Sequence, residues 1–306
     1  MEKITYKFWQ KDAGLEELQA EVYNVNNPEL QQPISAKDIV DRFEREKIDP
    51  KTVRYALEND KVIAYIQARD YPEPKETHLG YPWALADCPE EVQDKLFDEM
   101  LSYLKTRDTD FDIRINANIS QEKNLKFIKG KSSLKEVSQN FRHELDVKKL
   151  NELTPTDNGY KFRKATSEDV DILVQLIKED GRYLGQFPDD EGIANYFLER
   201  VLPDNHCILV FKEEKLVRAT APLISTLPGD SEERLILRFH SFLPDTDQSL
   251  KPLLIHVAKE CVSAGMDSKH LAMFEGSRDP QIVKNTLKEL KPLTSEITGL
   301  VFAPVD

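Results

Sequence analysis

Apolar and polar side chains alternate along this chain in a way that spells the same series of elements twice. Residues 52–68, TVRYALENDKVIAYIQA, alternate on either side of Glu58-Asn59-Asp60, the mark of two antiparallel strands joined by a tight polar turn. Residues 206–222, HCILVFKEEKLVRATAP, do the same around Lys212-Glu213-Glu214, and the two hairpins lie 154 positions apart. Tyr6-Lys7-Phe8 recurs at that spacing as Tyr160-Lys161-Phe162, and Leu96 falls on Leu250. Agreement at one offset points to an internal duplication.

The periodicities predict a strand near 3–9, helices near 13–24 and 36–46 with Ser35 as N-cap, and, after the hairpin, a strand near 77–86. Pro89 suits a first helical position, and Leu96, Phe97, Met100, Leu101 and Leu104 form one helical stripe. A strand at 111–119, a short helix at 121–129 and a strand at 138–147 complete the first copy. The second copy predicts a strand at 160–164, helices at 167–179 and 189–200, the hairpin, and a strand at 235–243. Helix 249–264, strand 269–274, helix 279–290 and strand 297–304 follow. The polar stretch NELTPTDNG, 151–159, carries Pro155 and Gly159 as breakers and reads as a linker. Expected domains are therefore 1–150 and 160–306.

The net charge of −13, with 40% hydrophobic and 32% charged residues, describes a globular chain with no basic block to lay along phosphates. A nucleic-acid partner is not expected, and the acidic surface either simply keeps the protein soluble or attracts cationic substrates. Cys88, Cys207 and Cys261 suggest neither a disulfide framework nor a zinc site, which fits a cytoplasmic location. MEKITYKFWQKD lacks the apolar core of a signal peptide, and no run of some 18 apolar residues predicts a membrane span. HExxH, GxSxG and paired CxxC motifs are absent, so no metal is expected and zinc-protease and serine-hydrolase readings are poor.

The element order resembles the GCN5-related N-acetyltransferase (GNAT) superfamily, present twice over 3–149 and 160–304. YKFRKATSEDVDILVQLI (160–177) is similar to its opening strand and first helix, and KGKSSLKEVSQNFRHELDV (129–147) to its closing segment. The resemblance implies an α+β fold (α/β by some schemes) of two tandem GNAT-like domains, each a mixed, mostly antiparallel sheet flanked by helices. It implies an acyl-CoA-dependent N-acyltransferase that moves an acetyl group from acetyl-CoA to a small-molecule amine or basic peptide. Mycothiol synthases, tandem proteins with one working half, are similar in architecture.

The family holds coenzyme A pyrophosphate on a Gln/Arg-x-x-Gly-x-Gly/Ala loop, where glycines let the backbone N–H groups approach. The matching positions, 88–94 and 244–251, contain no glycine. Glu90 and Glu91 oppose an anion in the first copy, which reads as degenerate. In the second, the resemblance assigns Leu243, Gln248, Ser249 and Lys251 to the cofactor, with Asp245 and Asp247 working against them. The family's tyrosine on the fourth helix is missing from both QEKNLKFIKGK (121–131) and DPQIVKNTLKEL (279–290). Candidate bases are His240, on the strand that lines the family's acyl site, and Glu275, where the family's sheet splays. The bland alternative for His240 is a pairing with a neighbour. Arg182, Tyr183 and Gln186, beside Gly181 and Gly185, are expected to touch substrate or else to form a surface loop. The competing reading is a catalytically inactive tandem GNAT-like protein that binds a small molecule or protein partner.

Overall fold

A computed structural model describes residues 4–11, 14–27, 33–71, 75–180, 187, 189–226, 232–243, 246–266, 270–276 and 281–305. The first half runs β1 (Thr5–Phe8), α1 (Leu15–Asn26), α2 (Ala36–Arg45), β2 (Val53–Glu58), β3 (Lys61–Tyr71), β4 (Glu76–Leu79), β5 (Trp83–Ala84), α3 (Glu90–Thr106), β6 (Asp112–Asn118), α4 (Glu122–Lys129) and β7 (Leu134–Asp146). After α5 (Val147–Glu152) come β8 (Tyr160–Lys164), α6 (Val170–Asp180), α7 (Asp190–Tyr196), β9 (Ile208–Lys212), β10 (Lys215–Thr226) and β11 (Glu233–Phe242). The chain closes with α8 (Leu250–Ser263), β12 (His270–Glu275), α9 (Gln281–Leu290) and β13 (Thr294–Pro304).

Local chemistry accounts for the element ends. Ser35 accepts from Asp38 N–H while the Asp38 carboxylate accepts from Ser35 N–H at 2.8 Å, a reciprocal box that opens α2. Asn59 and Asp60 turn the first hairpin at φ 50° and 62°, and Glu213, at φ 57°, turns the second. The strand expected at 77–86 is broken into β4 and β5. Gly80 N–H bonds Gln67 O at 2.8 Å, and a Cβ at Gly80 would meet that oxygen at 3.0 Å, so the bend needs glycine. Pro89 stands at the N-cap of α3 rather than at its first helical residue.

The chain divides into two compact units, 1–138 with 299–306, and 139–298. This differs from the boundary expected at 151–159. In the first unit the strands run β1-β2-β3-β4-β6-β13, with Gly299 to Phe302 of β13 paired antiparallel to Asn118 to Ile115 of β6. In the second they run β7-β12-β11-β10-β9-β8, with Phe141 to Asp146 of β7 paired to Glu275 to His270 of β12. Each half's closing strand thus completes the other half's sheet. Backbone pairing fixes it there, because a strand withdrawn from its ladder would leave its N–H and C=O groups unmet.

Period-two alternation sorts the cores. Val53, Tyr55 and Leu57 of β2 pack with Val22, Ile39 and Phe43 of the first two helices. Ala56 on the same strand belongs instead to a cluster with Phe97, Met100, Ile115, Leu300 and Phe302. The second unit has one large cluster, with Leu173, Ile177, Phe197, Leu209, Phe239, Leu253, Leu254 and Leu271 in it.

Candidate functional site

In the second unit the neighbouring strands β11 and β12 are parallel and share only two backbone pairs, Leu235 with Leu271 and Ile236 with Ala272. Beyond these, β11 runs on to Phe242 and β12 to Glu275, so the two part company at their C-terminal ends. β11 meanwhile stays paired with β10 as far as Phe242 with Arg218. A crevice at the C-terminal ends of parallel strands is where open sheets commonly take ligands. In the first unit β4 and β6 are likewise parallel over three pairs, Glu76 to His78 with Asp112 to Arg114.

The first unit closes its own turn. Gln93 of α3 donates to Tyr81 Oη at 3.0 Å and to Pro82 O at 2.6 Å. Tyr81 sets its ring edgewise on Trp83 and Phe127, both at 5.4 Å between centroids. Lys131 bonds Asp94 and Asp98 at 2.8 and 3.0 Å and lies over the Phe97 and Phe127 rings. Glu90 and Glu91 are exposed at the start of α3, where their charge suits the helix dipole. His78 joins Glu76 to Asn116 through its two ring nitrogens, each contact 2.9 Å.

The second turn is built around one carbonyl. Thr246 O accepts from Ser249 N–H at 3.0 Å, from the Ser249 hydroxyl, and from Arg218 Nη2 at 3.3 Å. Ser249 is fully buried, so its hydroxyl is turned inward to the backbone. Thr246 Oγ donates to Leu243 O at 2.6 Å, and Leu243, also buried, donates its N–H to Val217 O at 2.9 Å. Lys251 pairs with Glu289 of α9, and Gln248 is exposed. Of the four residues assigned to a cofactor, Gln248 and Lys251 are therefore the ones at the surface. Pro244 and Asp245 lie outside the described residues, as do Gly181, Arg182, Tyr183, Gly185 and Gln186.

Arg218 is 0% exposed, and its one signal in the sequence is a lone arginine inside the apolar strand KLVRATAPL. Besides Thr246 O it donates to His240 Nε2 at 2.8 Å and covers the Phe242 ring at 4.6 Å. A guanidinium has only donors, so His240 Nε2 is the acceptor in this contact. Its lone pair is thereby occupied, as in the neighbour-pairing alternative.

Leu243 N–H points to β10, so by alternation Phe242 N–H points the other way, toward the parted side of β11. There it donates to Asp180 Oδ2 at 2.9 Å, and Ser241 Oγ donates to the same oxygen. Glu275 ends β12 with Oε2 2.9 Å from His143 Nε2 and Oε1 3.9 Å from Lys284 Nζ. Glu275 and His240 do not share a partner among these contacts. His143 and Asp180 carry no local signal in the sequence, because their partners lie 132 and 62 positions away.

Thiol chemistry is not prepared here. Burial pushes Cys207 and Cys261 up to about 12, and burial with Asp87 nearby takes Cys88 to about 11. Among the described residues no group of three or more His, Cys, Asp or Glu is arranged to hold a metal, and no helix is long and apolar enough to cross a membrane.

No protein-family model and no curated protein matches this chain. Solved structures do. A GCN5-related N-acetyltransferase from Kribbella flavida aligns with 100% of this chain and 72% of its own, at TM-score 0.57 and 11% identity. A conserved protein from Enterococcus faecalis V583 aligns over 98% and 72%, at TM-score 0.60 and 12% identity. A tandem GNAT protein from the clavulanic acid biosynthesis pathway aligns over 99% and 100%, at TM-score 0.51 and 9% identity. With two sheets that each part between parallel neighbours, and with solved GNAT structures matching it end to end, the chain has a tandem GNAT-like fold.

Proposed function

We propose that this protein is an acyl-CoA-dependent N-acyltransferase that moves an acetyl group from acetyl-CoA to a primary amine, with the chemistry in the second unit. The observation that carries the reading is the parting of β11 from β12 after Ile236 and Ala272. An acyl thioester laid in that gap meets a backbone donor aimed into it. The carboxylate oxygen 2.9 Å from Phe242 N is evidence that an oxygen fits there, and a thioester carbonyl would take the place of Asp180. Of the two candidate bases we take Glu275, since the His240 Nε2 lone pair faces Arg218. The net charge of −13 favours a cationic acceptor such as a polyamine or basic peptide.

One observation favours the inactive binder: the Ser249 hydroxyl and Lys251 are both engaged by the protein's own groups. Incubation with acetyl-CoA and a panel of polyamines, followed by mass spectrometry, separates the two. The transferase reading expects an N-acetylated product, and a fall in rate of about 10²–10⁴-fold in Glu275→Gln, as for loss of a general base. Acetyl-CoA binding without product in the wild type supports the binder instead.

A further inference from the structure

A carboxylate, an imidazole and a hydroxyl stand in series within the second unit. Glu275 Oε2 lies 2.9 Å from His143 Nε2, and Ser295 Oγ lies 2.9 Å from His143 Nδ1. A carboxylate only accepts, so it fixes the tautomer with the proton on Nε2 and leaves the Nδ1 lone pair to receive the hydrogen of the Ser295 hydroxyl. Phe141 stacks on the His143 ring at 5.9 Å and 20°, which holds its plane. His143 is 8% exposed, whereas Ser295 is an exposed residue on β13. The proton acceptor is sheltered and the nucleophile is open to solvent.

The surroundings of Ser295 indicate what it would meet. Ile297 lies two positions further along β13, on the strand face that carries Ser295, and Leu293 lies in the bend just before the strand; they are 40% and 44% exposed. Single exposed apolar residues need no explanation, but two that flank an activated hydroxyl offer a platform for an apolar chain.

We propose that Ser295 is a nucleophile, activated by His143 and Glu275, that hydrolyses carboxylic esters with apolar acyl groups. Ser295 Oγ bonds to the ester carbonyl carbon as its proton passes to His143 Nδ1, and Glu275 stabilises the imidazolium through Nε2–H. The carbon–oxygen bond to the alcohol then breaks, and the leaving alkoxide takes the proton from Nδ1. Water attacks the acyl-serine by the same route, releasing the carboxylic acid and restoring the hydroxyl. No nucleophile-elbow motif surrounds Ser295, because the relay is assembled from residues 132 and 152 positions apart.

The test uses the full chain and needs no coenzyme A, so its result is independent of the transferase reading. The protein is treated with a fluorophosphonate probe and digested for mass spectrometry, and p-nitrophenyl butyrate hydrolysis is followed in parallel. Expected are an adduct on Ser295, its loss in Ser295→Ala, and hydrolysis reduced at least tenfold in both Ser295→Ala and Glu275→Gln. Ser295 is exposed, so Ser295→Ala keeps the fold, which circular dichroism checks. No adduct on Ser295 of the wild type, or hydrolysis equal in wild type and Ser295→Ala, overturns the proposal.

Discussion

Asp169 does two jobs with one carboxylate. It accepts from Arg163 at 2.8 and 2.6 Å, and from Thr166 N–H at 2.8 Å, closing the box that starts the 3-10 turn before α6. The Arg163 hydrogen bond, the largest effect, holds its carboxyl below the usual range against the opposing pull of burial. A carboxyl depressed in the folded state gives stability that is present above its unfolded pKa of about 3.9 and lost as pH falls through the folded value. Asp169→Asn should therefore cost about 1–2 kcal/mol at pH 7, with a difference that shrinks as the pH falls below the unfolded carboxyl value of about 3.9. Urea unfolding at both pH values checks it; an equal cost at both would assign the effect to packing. An acidic helix start can be read directly from Thr166-Ser167-Glu168-Asp169, since a cap is local. The Arg163 partner cannot, because it depends on how the strand enters the turn. Arg218 and His240 are a harder case of the same kind: alternation within β11 says only which face His240 takes, and the register of the neighbouring strand brings Arg218 within 2.8 Å of it.

Elements with short-range causes were read well from sequence. The hairpins at 58–60 and 212–214, the Ser35 cap and the strand at 160–164 all appear where local alternation and turn residues predicted them. β7 and β13 were predicted as strands, yet their partners were not, since pairing across more than a hundred residues leaves no mark in a strand's own alternation. The clearest consequence concerns Phe302. It comes from the last strand of the chain, pairs with Ile115 of β6 and is buried among Leu96, Phe97 and Ile128. Phe302→Ala should cost about 3–5 kcal/mol, as for a large core side chain. Hydrogen exchange should locate the loss in residues 112–118. Loss of protection confined to residues 270–275 would mean that β13 belongs to the second half's sheet after all.

For the whole molecule, duplication explains why two parted strand pairs exist, and side-chain chemistry explains why they differ. The first unit fills its turn with Gln93, Tyr81, Phe127 and Lys131, whereas the second keeps Lys251 and Gln248 at the surface of a turn anchored from below by Arg218. Glycine's absence from both turns was visible at once; what replaces it was not, because the replacement is a set of contacts and not a motif. The proposed transferase activity requires that the gap in the second unit accept an acyl-CoA. Calorimetric titration of the full chain with acetyl-CoA, and with desulfo-CoA as a non-acylated control, tests it most directly. Micromolar binding that is lost in Lys251→Glu is the expected result, and no heat at millimolar ligand would rule out an acyl-CoA site in that gap.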